Sequence, residues 1–100
     1  MSEQTLTVIA RVKAKEEKAA QVKEILLGLI GPTRKESGCI SYALHHSTDD
    51  ACSFLFVEEW ASQAALDEHL GTPYLQAFLS QVDDILAEPL DVTLWRRIDG

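Results

Sequence analysis

The residues best suited to chemistry in this sequence lie in the segment FVEEWASQAALDEHLGTPYLQAF, residues 56–78. It contains a carboxylate at Glu58, an imidazole at His69 and a phenol at Tyr74, with the indole of Trp60 between them. Carboxylates and imidazoles accept protons, and phenol hydroxyls donate hydrogen bonds, which are the roles that general acid–base catalysis requires. The segment therefore indicates either a site of proton transfer or an ordinary edge of a hydrophobic core.

Two strands that precede this helical segment bring a second phenol close to Glu58. Cys39–His46 and Ser53–Trp60 have strand character, and the turn residues between them centre near Asp50. With that centre, Tyr42 pairs with Glu58 across the two strands. Because residues two apart share a face of a strand, each strand has a predicted set: Ile40, Tyr42, Leu44 and His46 on the first, and Phe54, Phe56, Glu58 and Trp60 on the second.

Each candidate group also has a purely structural interpretation. A carboxylate among aromatic side chains is costly unless it is hydrogen-bonded, and burial raises its pKa. Glu58 is therefore either a base or a satisfied acid that fixes the second helix. His69 lies on the helix side shared with Leu66 and Leu70, where it is either a packed core residue or a catalyst. The aromatic set of Trp60, Tyr74 and Phe78 has the same two interpretations.

The spacing of apolar residues predicts the elements that position these groups. Residues 5–14 alternate between apolar and polar side chains, as in a half-buried strand. A helical apolar stripe begins after Glu16 and is expected to stop at Gly38. The remaining predicted elements are the two central strands, a second helical region in two pieces (61–70 and 74–86) and a last strand (90–98).

This order, β-α-β-β-α-β, predicts an α+β, ferredoxin-like fold in which helices cover one face of a four-stranded antiparallel sheet. The uncovered face still carries apolar residues such as Ile9, Leu55 and Val57. An exposed apolar face on an acidic chain predicts a partner. A homodimer formed by two such faces is the simplest arrangement, with Trp95 in the core or at the interface.

Composition limits the class of protein. The 100 residues are expected to form a single domain, residues 1–100, and 46% of them are hydrophobic. A net charge of −7 argues against binding to nucleic acid or to anionic membranes. No signal peptide is recognised at residues 1–4 and no apolar stretch is long enough to span a bilayer. Cys39 and Cys52 are expected to be free thiols at opposite ends of a hairpin, so a cytoplasmic protein is expected.

Familiar cofactor motifs are missing from the sequence. It has no G-x-G-x-x-G or Walker-type loop, which argues against the common nucleotide-binding folds. It also has no C-x-x-C or H-E-x-x-H, and the adjacent His45 and His46 point to opposite faces of a strand. We therefore expect neither a bound cofactor nor a dedicated metal site.

Taken together, the motifs resemble the antibiotic biosynthesis monooxygenase (ABM) superfamily, in particular its small quinol-monooxygenase-like members. The resemblance is carried by ESGCISYALHHSTDD followed by SFLFVEEWASQAALDEHLGTPYLQAF, and it extends over nearly the whole chain. It implies a dimer whose two sheets form an α+β barrel, and a pocket between sheet and helices in each subunit. It further implies a reaction of a quinol or another small phenolic or enolisable substrate with O₂, without a cofactor.

In that interpretation, Glu58 or His69 is the base and Tyr42 or Tyr74 donates a hydrogen bond to the developing oxyanion. The aromatic residues Phe56, Trp60 and Phe78 form the pocket walls, and Tyr74 belongs to the same substrate-binding set. Related chains commonly have a histidine where this one has Tyr74.

Other chemistry is known in the same superfamily. Haem-degrading members use an asparagine and a histidine ligand, whereas this chain has no asparagine and has Phe78 near the position of the ligand. Two alternatives stay open at this point: an isomerase that uses the same acid–base groups, and a dimer that binds a small molecule without turnover.

Overall fold

Four strands form one antiparallel sheet with helices on one face in the computed structural model, which describes residues 5–99. The order across the sheet is β2-β3-β1-β4, which confirms the predicted ferredoxin-like fold. Residues 1–4, on which the expectation of no signal peptide rested, lie outside the described residues. The strands are β1 (Leu6–Lys13), β2 (Cys39–His46), β3 (Ser53–Trp60) and β4 (Asp91–Trp95).

The helical layer differs in detail from the prediction. A short 3₁₀ turn at Glu16–Lys18 precedes the first helix, which ends four residues before Gly38. Ser62 caps the second helix by accepting a hydrogen bond from the backbone N–H of Ala65. The region expected to be one helix over residues 74–86 is two helices. The helices are α1 (Ala19–Arg34), α2 (Gln63–Leu70), α3 (Pro73–Leu79) and α4 (Val82–Ile85).

The strand register places the candidate residues as the alternation predicted. Tyr42 pairs with Glu58, and Leu44 pairs with Phe56. Every second residue of β3 is buried, and these are the four predicted to share a face: Phe54, Phe56, Glu58 and Trp60. Because β1 lies between β3 and β4, the buried side of β1 forms the centre of the core.

The prediction for Ile40 was wrong. The pairing of β2 with β3 shifts between Cys39 and Ser41, so that Cys39 pairs with Trp60 and Ser41 with Glu59. A bulge of this kind inserts one residue into a strand and breaks its alternation. Ile40 is therefore 57% exposed, although it lies two residues before the buried Tyr42.

The helices leave the edge strand β4 largely uncovered. Val92 pairs with Ala10 and Leu94 pairs with Val8, so both lie on the core side of the sheet. They are nevertheless 47% and 49% exposed. On the opposite face, Trp95 is 58% exposed, so it does not belong to the core.

Gly38 brings the connection after α1 into direct contact with α2. A Cβ atom at this position would lie 2.3 Å from the Cβ of Ala65. The carbonyl of Gly38 also accepts a 2.9 Å hydrogen bond from the N–H of Ala61. The expectation that Gly38 terminates the helix was wrong, because α1 already ends at Arg34. The lack of a side chain at Gly38 instead permits close packing.

Two features of the described residues bear on the class of protein. Cys39 and Cys52 are free, as expected from their positions in the hairpin. Among residues 5–99, none of the helices combines the length and the apolar character that a bilayer crossing requires.

The two glycines Gly38 and Gly28 provide a matched test of the close contact between Gly38 and Ala65. Gly38→Ala is expected to lower the free energy of unfolding by about 1–3 kcal/mol, because its Cβ overlaps that of Ala65. Gly28→Ala, in an exposed helical position with no atom near the added Cβ, is expected to raise it by about 0.5–1 kcal/mol. Urea unfolding of both variants measures the difference, and a neutral Gly38→Ala would contradict the close contact.

Candidate functional site

A cavity of about 250 Å³ lies between the sheet and the helices. Most of its lining is aliphatic or aromatic, and it includes Phe56 and Phe78 from the predicted walls. Three groups that can exchange or share protons line the same cavity: Tyr42, Glu58 and His69. The fold therefore combines an apolar chamber with a small polar cluster in its wall, which is the usual composition of a small-molecule site.

Glu58 is a buried acid on the core side of β3. Its Oε1 accepts a 2.8 Å hydrogen bond from the indole Nε1 of Trp60. Burial raises the pKa of Glu58 to about 7, although the indole hydrogen bond lowers it and the nearby Glu36 carboxylate raises it further. At neutral pH this carboxyl group can therefore either accept or donate a proton.

Tyr42 contributes a buried hydroxyl from β2. Its ring stacks on Phe56 with centroids 4.5 Å apart and meets the ring of His69 edge-on at 5.6 Å. Burial, followed by the carboxylate of Glu58, raises the pKa of Tyr42 well above its ordinary value. The hydroxyl therefore keeps its proton and can donate a hydrogen bond. Arg34 anchors the strand through two hydrogen bonds to the Tyr42 carbonyl, of 3.1 and 2.8 Å.

His69 is a buried residue of α2 and is held by an acid from another element. Its Nδ1 lies 2.9 Å from Oε2 of Glu36, in the connection between α1 and β2. The hydroxyl of Tyr74 donates to the same Glu36 oxygen. The His69 ring also packs 4.6 Å from the ring of Trp60. Because Nδ1 is engaged with Glu36, Nε2 is the ring nitrogen available to the cavity.

Two of the predicted substrate-binding residues, Trp60 and Tyr74, do not line the cavity. Trp60 is completely buried behind Glu58, to which it donates its hydrogen bond. Tyr74 lies in the first turn of α3 and donates the hydrogen bond of its hydroxyl to Glu36. Both residues contact the polar groups of the site from outside the chamber.

Glu36 was not among the predicted site residues. It lies in a connection, where neither helical nor strand periodicity applies, and a single acid next to the end of a helix is usually a surface residue. The only local signal is the nearby Gly38, whose close packing against α2 brings this connection towards His69.

A larger cavity, of about 410 Å³, lies elsewhere on the sheet and has a different character. Its polar lining residues include Arg11, His45, His46 and Asp91, all of which are exposed. Water screens such groups. Glu58 and His69 differ from them, because each is buried and has its own hydrogen-bonding partner. Among residues 5–99, there is no group of three or more acidic, histidine or cysteine side chains placed to hold a metal ion.

A comparison with protein families matches this chain to one family. The model of the antibiotic biosynthesis monooxygenase family matches residues 5–81, which include all the site residues described above.

Individual proteins are similar over most of the chain. "Putative monooxygenase Rv0793" of Mycobacterium tuberculosis is 37% identical over 94 residues, covering 94% of this chain and 92% of that protein. The Synechocystis protein sll1783 is 35% identical over 91 residues, covering 91% of this chain; the match spans only 62% of the length of that protein.

Solved structures agree with these matches. The structure of Rv0793 superposes with a TM-score of 0.90 at 34% identity, covering 96% of this chain and 97% of that one. The structure of PA3566 from Pseudomonas aeruginosa gives a TM-score of 0.93 at 28% identity, covering 99% of each chain.

The raised pKa of Glu58 predicts how stability depends on pH. Because the folded state binds the proton of Glu58 more tightly than the unfolded state does, protonation of this group stabilises the fold. This contribution to the free energy of unfolding is complete below pH 4.5 and is lost as the pH rises through about 7. The variant Glu58→Gln lacks this titration but can still accept the hydrogen bond from Trp60. Between pH 5 and pH 8, the free energy of unfolding of Glu58→Gln is expected to rise by about 2–3 kcal/mol relative to that of wild type.

Urea unfolding at the two pH values measures this change. Glu59→Gln, which removes the neighbouring carboxylate on the other face of β3, shows how much of the change follows from the loss of any acid in this strand. Equal pH dependence in wild type and Glu58→Gln would contradict the assignment.

Proposed function

Because the chain belongs to the antibiotic biosynthesis monooxygenase family, we propose that it is a cofactor-independent monooxygenase acting on a quinol or another small phenolic or enolisable substrate. One observation carries the proposal: Tyr42, Glu58 and His69 together line an apolar cavity of about 250 Å³. Proton transfer inside an apolar chamber is what a direct reaction of an activated phenol with O₂ requires.

The proposed reaction begins with removal of a proton from a substrate hydroxyl by His69 or Glu58. The O–H bond breaks, its electron pair stays on the substrate oxygen, and the electron-rich anion reacts with O₂. For a hydroquinone, one oxygen atom enters the ring and the other leaves as water, and the substrate supplies all four electrons. The Tyr42 hydroxyl donates a hydrogen bond to the developing oxyanion.

The lining of the cavity favours an uncharged substrate. Its polar groups are few, and neither lysine nor arginine is among its lining residues. A phosphorylated substrate would need cationic partners to offset the loss of hydration. This supports a neutral phenol over a phosphorylated substrate.

Activity is tested by oxygen uptake with a panel of dihydroxyaromatic compounds, without added flavin, haem or metal. Incorporation of one atom from ¹⁸O₂ into the product distinguishes a monooxygenase from an oxidase. Replacement of the base, by Glu58→Gln or His69→Gln, is expected to lower kcat by about 10²–10⁴-fold. Both amides are close in size to the side chains they replace, so the fold should be retained.

Glu68→Gln, at an exposed position of α2 outside the cavity and the open face of the sheet, is the matched control and is expected to retain wild-type uptake. If the panel binds in calorimetry without being oxidised, the protein is a binding module and the proposal fails. Conversion of an enolisable substrate without oxygen uptake would instead indicate an isomerase.

The proposed assembly is a homodimer formed through the open face of the sheet. This face carries Ile9, Leu55, Val57 and the exposed Trp95 on an otherwise acidic chain. Burial of apolar surface between two copies would stabilise each subunit. The two free cysteines support the further expectation of a reducing, cytoplasmic environment.

Sedimentation at micromolar concentration is expected to give about twice the subunit mass of 11.1 kDa. Val57→Arg, which places a charge in the middle of the open face, is expected to shift the protein to monomer. A wild-type protein that sediments as a monomer at these concentrations would contradict the proposed dimer.

A further inference from the structure

We propose that Glu36 is the positioning residue that makes His69 the proton acceptor of the site, by holding the proton of the neutral ring on Nδ1 and leaving the lone pair of Nε2 for the substrate. This inference rests on the proposed function for its catalytic consequence, but the arrangement of Glu36 and His69 can be tested without any substrate.

The hydrogen bond between the two residues determines the state of the ring. Oε2 of Glu36 lies 2.9 Å from Nδ1 of His69, and the side chains are only 16% and 3% exposed. A carboxylate can accept hydrogen bonds but cannot donate them, so Nδ1 must carry the hydrogen. In a neutral imidazole the other nitrogen, Nε2, is then unprotonated and can act as a base.

A second donor fixes the carboxylate in this position. The hydroxyl of Tyr74 donates to the same oxygen of Glu36. Burial and the adjacent Glu36 raise the pKa of Tyr74, so the phenol keeps the proton that it donates. Tyr74 thus acts on the site through Glu36 rather than by contact with a bound molecule.

The backbone around Glu36 is also held in place. Its N–H donates to the carbonyl of Thr33 at 3.0 Å, and its carbonyl accepts from the N–H of Cys39 at 3.1 Å. Two residues further on, Gly38 packs against Ala65 in the helix that carries His69. The carboxylate and the imidazole therefore belong to elements that are in direct contact.

The groups around His69 are consistent with a base at this position. Glu36 approaches from the connection before β2, Tyr42 from β2, Glu58 and Trp60 from β3, and Tyr74 from α3. None of these neighbours is cationic. When the substrate O–H bond breaks, its proton passes to Nε2 and the electron pair stays on oxygen. The imidazolium that forms keeps its Nδ1–H on Glu36, whose negative charge stabilises it.

The test begins with the tautomer of His69, read from ¹⁵N NMR of the imidazole nitrogens at neutral pH. Wild-type protein is expected to show a protonated Nδ1 and an unprotonated Nε2. Glu36→Ala is expected to lose this preference. Glu36→Gln offers an amide oxygen of similar size as acceptor, so it is expected to keep the tautomer but to lack the negative charge.

Steady-state oxygen uptake then measures the consequence for catalysis. Glu36→Ala is expected to lower kcat by about 10–100-fold with KM changed less than twofold, and Glu36→Gln should lie between this variant and wild type. Tyr74→Phe removes only the second donor and should have a smaller effect. Glu68→Ala, an exposed acid next to His69 in sequence, is the matched control and is expected to match wild type in both measurements.

The outcomes separate this inference from the proposed function. An Nδ1–H tautomer that disappears in Glu36→Ala supports the inference even if no substrate is oxidised, in which case the proposed function fails by itself. A wild-type ring protonated on Nε2, or a tautomer unaffected by Glu36→Ala, overturns the inference. An altered tautomer with unchanged kcat overturns the role of His69 as base. If Glu36→Ala does not fold, the tautomer of the wild-type ring still decides the inference, and a Glu36→Gln variant with wild-type kcat overturns the role of the Glu36 charge.

Discussion

The hydrogen bond from Trp60 to Glu58 is the interaction on which the site depends. A carboxylate in an aromatic core is stable only if a donor satisfies it or a proton neutralises it, and a fully buried indole N–H needs an acceptor. Because the two residues are two positions apart on β3, their side chains lie on the same face and satisfy each other at 2.8 Å. One strand thus supplies both the acid and its donor, while Glu58 Oε2 makes no hydrogen bond to any of the described residues.

The cavity forms because the helical layer is too short to cover the whole sheet. Four strands form the sheet, but the helices leave the core-facing residues of β4, Val92 and Leu94, about half exposed. These two side chains line the cavity together with Leu75 and Phe78 from α3. The same short helical layer therefore accounts for the chamber and for its position beside the edge strand.

The sequence predicts those parts of the molecule that depend on regular spacing. Alternation along two strands and a turn near Asp50 were enough to pair Tyr42 with Glu58. The bulge at Ile40 could not be predicted in this way, because an inserted residue leaves no mark on composition and only shifts the pattern. Glu36 was missed for a related reason: its position depends on the contact of Gly38 with Ala65, which joins distant parts of the chain. Periodicity in the sequence predicts single helices and strands, whereas this contact depends on how two elements pack against each other.

The central position of β1 affects how the protein is made. Of the four described strands, β1 leaves the ribosome first, yet its partners β3 and β4 are the third and the fourth. At about 5–20 residues per second, β1 waits several seconds with both edges unpaired and its apolar residues uncovered. An unpaired strand of this kind is a template for association with other chains. The nascent chain therefore exposes the central strand of its sheet for the longest time, and it has no complete cavity wall until β4 has been synthesised.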